Sequence, residues 1–364
     1  MNGRILFPAG NVQAPVRRKL AEAGFELVDG MSDEEIRAAR GRAKADGDRL
    51  IKEVLLRELP GARAVQALGF PGQFPVDAEA IDAADDLEVI FLGGAGYDQI
   101  DMAAATRRGI LVANAPGGNA PAVAERALAF LLHLAHKVGP SDRFSHTHRA
   151  EMSRNALKEE FPPLRVAFGK VLGIVGYGHV GRHLTRTALA LDMTVEVFDP
   201  YLEAVEPADP RVTLSRDLHG MLSRADFVSV HAPLLPSTAG LIGAAELRAM
   251  KPSAYLINTS RGGLVDTDAL VEALAERRIS GAGLDVTEPE PLPPGHPLFD
   301  FDNVVLTPHS AGSPQEMLER CALIAAETTM RVLGGDIPDA GIVNRDAIAE
   351  HLRRFPSRDK ETAQ

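Results

Sequence analysis

A chain of 364 residues, 45% hydrophobic and 24% charged, holds material for about two soluble domains, without an apolar run long enough to cross a membrane. Its formal net charge of −11 and its lack of Trp argue against a nucleic-acid partner, because phosphate neutralisation needs clustered Lys and Arg and base stacking needs aromatic rings. The single cysteine, Cys321, excludes an intrachain disulfide and a cysteine-based zinc cluster, and makes the cytoplasm the expected compartment.

The start, "MNGRILFPAGNV", has no charged leader before a long apolar block and reads as a first strand, not a signal peptide. Its "RILFP", and then "ARAVQAL", "LEVIFLGG" and "GILVANA", are short apolar runs bounded by Gly, Pro or Asp. Amphipathic stretches such as "APVRRKLAEAG" and "DAEAIDAAD" lie between them, and this alternation predicts a parallel-sheet domain. Residues 31–61 are highly charged and read as two exposed helices joined near Gly47, a surface elaboration. In "APGGNAPAVAERALAFLLHLAHKVG", Val123, Ala127, Leu131, Leu134 and Val138 recur at three- and four-residue steps and predict a long helix over 119–138, after a Gly117-Gly118 hinge. Residues 141–168 read as a polar, irregular connection. Its His146 and His148 have no further ligand nearby, so no metal site is expected.

From residue 171 the alternation of strand and helix becomes regular. Strands are predicted at 171–175, 194–198, 227–231, 254–258, 281–286 and 303–307, which makes a six-stranded doubly wound sheet. "SPQEMLERCALIAAETTMRVLGG" is then one long helix, with Cys321 as a small buried side chain on it, returning to the first domain. The expected fold is α/β with two doubly wound parallel-sheet domains and a cleft between them. The first comprises 1–117, completed by 313–364, and the second comprises 118–312.

"VLGIVGYGHVGRHL" places Gly176-x-Gly178-x-x-Gly181 between a buried strand and a helix with apolar spacing, the setting a dinucleotide fingerprint needs. Gly176 permits the tight turn, Gly178 lets backbone approach a pyrophosphate, and Gly181 lets the helix pack on the strand. The helix N-terminus offers free N–H groups to the phosphates. Asp199 ends the next strand, 18 positions past Gly181, where an acid accepts both ribose hydroxyls and repels a 2′-phosphate. NAD(H) is therefore favoured over NADP.

Arg261, Glu290 and His309 each stand just beyond the carboxyl end of a predicted parallel strand, the edge where ligands sit in such sheets. As a set they make chemical sense beside a nicotinamide. Arg261 would bind the carboxylate of a 2-oxo or 2-hydroxy acid and polarise its C2 oxygen. His309 would exchange a proton with that oxygen as hydride moves to or from C2. Glu290 would bond the other ring nitrogen and fix the tautomer.

Over residues 87–345 the chain resembles the D-isomer-specific 2-hydroxyacid dehydrogenase family. The resemblance rests on "GGAGYDQID", "NAPGGNAPAVAERALAFLL", "GIVGYGHVGRHL", "HAPLLPSTAGLIG", "MKPSAYLINTSRGGLVDTDALVEAL", "GAGLDVTEPEPL" and "LTPHSAG", in that order. It implies a Rossmann NAD-binding domain, a flavodoxin-like substrate domain, and Arg261, Glu290 and His309 as the catalytic set. It also implies that backbone at Gly94, Ala95 and Gly96 binds the substrate carboxylate. Cofactor contacts would come from Ala95, His179, Val180, Ala232, Thr259 and Asp285, with Asp285 facing the nicotinamide carboxamide. A homodimer built around helix 119–138 follows from the same resemblance. Thr287 and Gln99 depart from the family's usual residues. The loop 67–74, "ALGFPGQF", has no Lys or Arg, which favours a short or apolar substrate over a phosphorylated one. No regulatory domain is expected after residue 345. The alternative within the family is an NAD-sensing, corepressor-like binding protein, for which the charged stretch 31–61 would serve as the partner surface.

Overall fold

The computed structural model describes residues 2–8, 14–32, 34–35, 44–67, 76–94, 96–97, 99–147, 164–205 and 209–356. The chain divides into two compact units, Met1–Asn119 with Gly312–Gln364, and Ala120–Ala311. Among the described residues, no helix is long and apolar enough to cross a membrane.

The first unit is built on five parallel strands: β1 (Arg4–Phe7), β2 (Glu26–Asp29), β3 (Ala62–Ala67), β4 (Val89–Leu92) and β5 (Leu111–Asn114). Their order is β2-β1-β3-β4-β5, the flavodoxin-like arrangement. Successive side chains on a strand point to opposite faces, so the apolar runs feed two cores. On one face Leu6, Val65, Ile90 and Val112 pack with Val54, Leu55 and Ile81. On the other, Ile5, Ala64, Val89 and Phe91 pack with Val16 and Leu20 of the helix Ala14–Glu22. Cys321, Ala322 and Ala325 of the helix Gln315–Leu333 complete that second face, and Cys321 is a buried helical side chain as expected.

Two elements of this unit differ from the sequence reading. Strand β2, "ELVD", was not expected. It lies at the sheet edge with both end residues exposed, so it carries no strong apolar alternation. Among the described residues of the stretch 31–61, Gly47 does not join two exposed helices. One helix runs Lys44–Glu58 through Gly47, and Val54 and Leu55 on it are fully buried, followed by Leu59. Leu50, Val54, Leu55 and Leu59 fall at helical spacing, and that stripe outweighs the charge of the composition.

The second unit holds seven parallel strands: β6 (Val171–Val175), β7 (Thr194–Phe198), β8 (Val212–Ser215), β9 (Phe227–Val230), β10 (Tyr255–Asn258), β11 (Gly281–Leu284) and β12 (Val304–Leu306). Their order is β12-β11-β10-β9-β6-β7-β8, so the winding reverses between β6 and β9. Ligands bind at such a switch point, beyond the carboxyl ends of the strands. The six expected strands are present, and the seventh, β8 ("VTLS"), is again a short, half-polar edge strand. The helix Ala120–His136 packs on β10 and β11, where Gly283 leaves room for the Phe130 ring: a Cβ there would lie 2.7 Å from Phe130.

The connection after that helix is not irregular at its start. A second helix runs Val138–Thr147 beyond Lys137, which turns the chain at φ 53°. Pro140 falls in its first turn, where a missing N–H costs nothing. None of its residues is buried, so no apolar period announces it. His146 pairs with Asp142 at 3.5 Å on an exposed surface, and His148 lies outside the described residues.

Candidate functional site

The turn after β6 shows why its glycines stand where they do. Gly176 has φ +92°, and a Cβ on it would lie 2.6 Å from the Ala232 nitrogen. A Cβ at Gly181 would lie 2.6 Å from the Gly176 carbonyl oxygen, so the helix His179–Ala190 is pressed onto the turn itself. Gly178, the residue before that helix, has nothing within 4 Å of its Cβ position, and its backbone faces open space. His179 and Val180 form the first turn of the helix, whose leading N–H groups are free for an anion.

Asp199, one residue past β7, is fixed from both sides. Its Oδ2 accepts the Tyr177 N–H at 2.9 Å and its Oδ1 the Tyr201 N–H at 3.0 Å. Each oxygen keeps a lone pair for a ribose hydroxyl. Thr259 follows β10 and is 7% exposed, yet its hydroxyl has no hydrogen-bond partner. Buried hydroxyls are ordinarily satisfied. The orphaned Thr259 hydroxyl, the open approach to Gly178 and the held carboxylate of Asp199 fit a bound dinucleotide. His231, not singled out from the sequence, follows β9 beside the same turn. Burial pushes its pKa down to about 4, so the ring is neutral, with Nε2 2.9 Å from the Ser229 hydroxyl.

Glu290 and His309 lie in the segments that follow the adjoining strands β11 and β12. His309 Nδ1 stands 2.7 Å from Glu290 Oε1, with both side chains about one-third exposed. The carboxylate accepts a hydrogen bond from Nδ1–H, which leaves Nε2 without a proton in the neutral ring. His309 adopts φ 48°, and its N–H donates to the Asp285 carbonyl at 2.8 Å. Asp285 is 2% exposed, and its carboxylate accepts the Thr307 hydroxyl and the N–H groups of Ser310 (3.0 Å) and Ala311 (2.8 Å). The resemblance implies a cofactor contact for Asp285; its carboxylate also holds the turn that carries His309.

Arg261 stands beyond β10 in extended backbone (φ −140°, ψ 141°), with Nη1 donating to the Ser260 carbonyl at 2.8 Å. Gly262 next to it abuts the loop that carries Glu290, since a Cβ there would fall 2.0 Å from the Thr287 carbonyl. Arg261, Glu290 and His309 thus follow three neighbouring strands, and Glu290 and His309 touch. Gly94 and Gly96 belong to the other unit, just beyond β4, and Ala95 lies outside the described residues. Most of the loop 67–74 is also outside them. Among the described residues, no group of three His, Cys, Asp or Glu side chains is arranged to hold a metal ion.

Known proteins similar to this chain include reductases and dehydrogenases. The model of the family described as D-isomer specific 2-hydroxyacid dehydrogenase, NAD binding domain, matches residues 128–311. A glyoxylate reductase from Thermofilum pendens is 41% identical over 276 residues, covering 75% of this chain and 79% of that protein. A D-3-phosphoglycerate dehydrogenase from Archaeoglobus fulgidus is 37% identical over 297 residues, 82% of this chain but 54% of that longer protein. Among solved structures, the TT0316 protein of Thermus thermophilus is similar at 35% identity with a TM-score of 0.76, covering 93% of this chain and 99% of its own. The NAD-dependent formate dehydrogenase of Staphylococcus aureus, in complex with NAD, has a TM-score of 0.74 at 25% identity, covering 93% and 98%.

Proposed function

The chain belongs to the D-isomer specific 2-hydroxyacid dehydrogenase family and is an NAD-dependent enzyme of that kind, and from that premise we propose that it interconverts a D-2-hydroxyacid and its 2-oxo acid with His309 as general acid–base. The single observation that carries the residue assignment is the 2.7 Å contact of His309 Nδ1 with Glu290 Oε1 at the ligand edge of the sheet. NAD supplies the hydride acceptor, or as NADH the donor. Nε2 of His309 gives a proton to the C2 oxygen as that carbon is reduced, and recovers it in the reverse direction. Glu290 holds the ring in one tautomer and offsets the charge of the imidazolium. Arg261 binds the substrate carboxylate through two donors of its planar fork and polarises the C2 oxygen. Backbone at Gly94, Ala95 and Gly96 is proposed to bind the substrate carboxylate, as the family resemblance implies. Asp285 retains a lone pair on Oδ2 for the carboxamide of the cofactor.

The substrate is proposed to be a 2-oxo acid with a short or apolar side chain. The glyoxylate reductase relative and the absence of Lys and Arg from residues 67–74 support this. A panel of glyoxylate, hydroxypyruvate, pyruvate, phenylpyruvate and 3-phosphohydroxypyruvate, followed by NADH oxidation, tests it. Highest kcat/KM for the phosphorylated acid would overturn the substrate class. A homodimer is also proposed. On the unit Ala120–Ala311, Val138 (54% exposed), Leu164, Val166 and Phe168 (69% exposed) form an outward apolar set at the end of the helix Ala120–His136. Sedimentation equilibrium of the wild type and Phe168→Asp tests that face. An intact acid–base pair serves an enzyme, and nothing in the site favours the corepressor-like alternative.

A further inference from the structure

Asn258 ends β10 and is 1% exposed, yet it touches neither of the groups assigned to proton transfer. Its amide instead closes the three-residue turn that leads to Arg261. Nδ2 donates to the Arg261 carbonyl at 2.8 Å, and Oδ1 accepts the Ser260 N–H at 3.0 Å. Only one amide orientation satisfies both bonds, because one partner is an acceptor and the other a donor. The Ser260 hydroxyl donates to the Ala232 carbonyl at 2.7 Å and ties the same turn to the end of β9. On the far side of Arg261, Gly262 is seated against the Thr287 backbone. The backbone that presents the guanidinium is therefore gripped before and after the residue, and its carbonyl is held from inside the sheet.

We propose that Asn258 is a positioning residue for Arg261: it sets the affinity for the substrate carboxylate and the polarisation of C2–O without touching the substrate. The inference rests on the reading of Arg261 as the substrate anchor. The amide is required, not merely its volume. An Asp of equal size keeps an acceptor for Ser260 but turns an acceptor toward the Arg261 carbonyl, which repels it. The displaced backbone then carries the fork away from the carboxylate, and a shift of about 1 Å at such a contact costs about 10²-fold.

The test compares wild type, Asn258→Asp, Arg261→Ala and the double variant in the full chain. It measures kcat and KM for the best 2-oxo acid, Kd for NADH by fluorescence, and thermal melting. Asn258→Asp is expected to lower kcat/KM by about 10- to 100-fold, largely through KM, with Kd for NADH within about twofold of wild type. In the Arg261→Ala background the same substitution is expected to cost less than about twofold, because the residue acts through the missing fork. A full multiplicative loss in that background, or a Kd for NADH that rises with KM, overturns the proposal. Unchanged kcat/KM in Arg261→Ala alone overturns the anchor reading, and the inference with it. Should Asn258→Asp fail to fold, Asn258→Ser, which is too short to reach the Arg261 carbonyl, is judged by the same criteria.

Discussion

The carbonyl of Asp285 accepts the backbone N–H of His309 at 2.8 Å, while its carboxylate accepts the N–H groups of Ser310 and Ala311 just beyond. One buried residue thus holds the turn in which His309 keeps φ at 48°, a conformation that costs a non-glycine residue about 1–3 kcal/mol. Asp285→Asn leaves a single acceptor oxygen for three donors. Hydrogen bonds to a charged group contribute about 1.5–3 kcal/mol each, so the variant is expected to melt earlier and to lose turnover. Denaturant unfolding and kcat measured together check this; a variant with wild-type kcat would show that His309 does not need the clamp.

His309→Gln is expected to lower kcat by about 10²–10⁴-fold, the usual contribution of a general acid–base group. Binding of NADH should persist, because the turn at Gly176–Gly181 and Asp199 are untouched. Glu290→Gln still accepts a hydrogen bond from Nδ1–H but carries no charge, so its loss should be smaller. Stopped-flow reduction of a 2-oxo acid in light and heavy water, with and without deuterium on NADH, separates the proton-transfer and hydride-transfer steps from slow product release. Full activity in His309→Gln would remove the residue from proton transfer.

What the chain reveals by itself follows from how local each signal is. The Gly176–Gly181 fingerprint, the apolar core strands and the three residues past β10, β11 and β12 are written in short contiguous stretches. Strands β2 and β8 are not, because an edge strand buries little and needs no apolar alternation. The helix Lys44–Glu58 was hidden by its charge, although Val54 and Leu55 carry the stripe that seats it. The helix Val138–Thr147 buries nothing and leaves no period to read. The roles of Asp285 and Asn258 were beyond reach for another reason. Both act through main-chain groups of a following turn or a neighbouring strand, and a main-chain partner has no letter in the sequence.

Asp199 uses one lone pair on each oxygen for backbone and offers the others outward. Asp199→Ala should therefore weaken NAD binding and ease the repulsion of a 2′-phosphate, shifting the balance between the two cofactors toward NADP. The ratio of kcat/KM for the two cofactors is the measurement, and an unchanged ratio would remove Asp199 from cofactor selection.

His231 supplies a pH dependence whose sign can be worked out. An unfolded histidine titrates near 6.5, and burial holds His231 at about 4 in the folded chain. Between those values the unfolded state binds a proton that the folded state refuses, so acid favours unfolding. The stability that comes from a neutral His231 is complete above about pH 6.5, declines as the pH falls and is gone below about pH 4. His351, 2% exposed and lowered chiefly by desolvation, shifts in the same direction as it donates from Nδ1 to the Gly109 carbonyl at 2.9 Å. Replacing His231 with Gln removes the titrating ring while keeping a polar group in reach of the Ser229 hydroxyl. The variant should show a shallower fall in melting temperature between pH 6.5 and 4 than the wild type. Its activity at pH 8, where both proteins carry a neutral group at that position, should change far less than its acid stability. Parallel melting curves for the two proteins across that range would mean that His231 takes up its proton in the folded state as readily as in water.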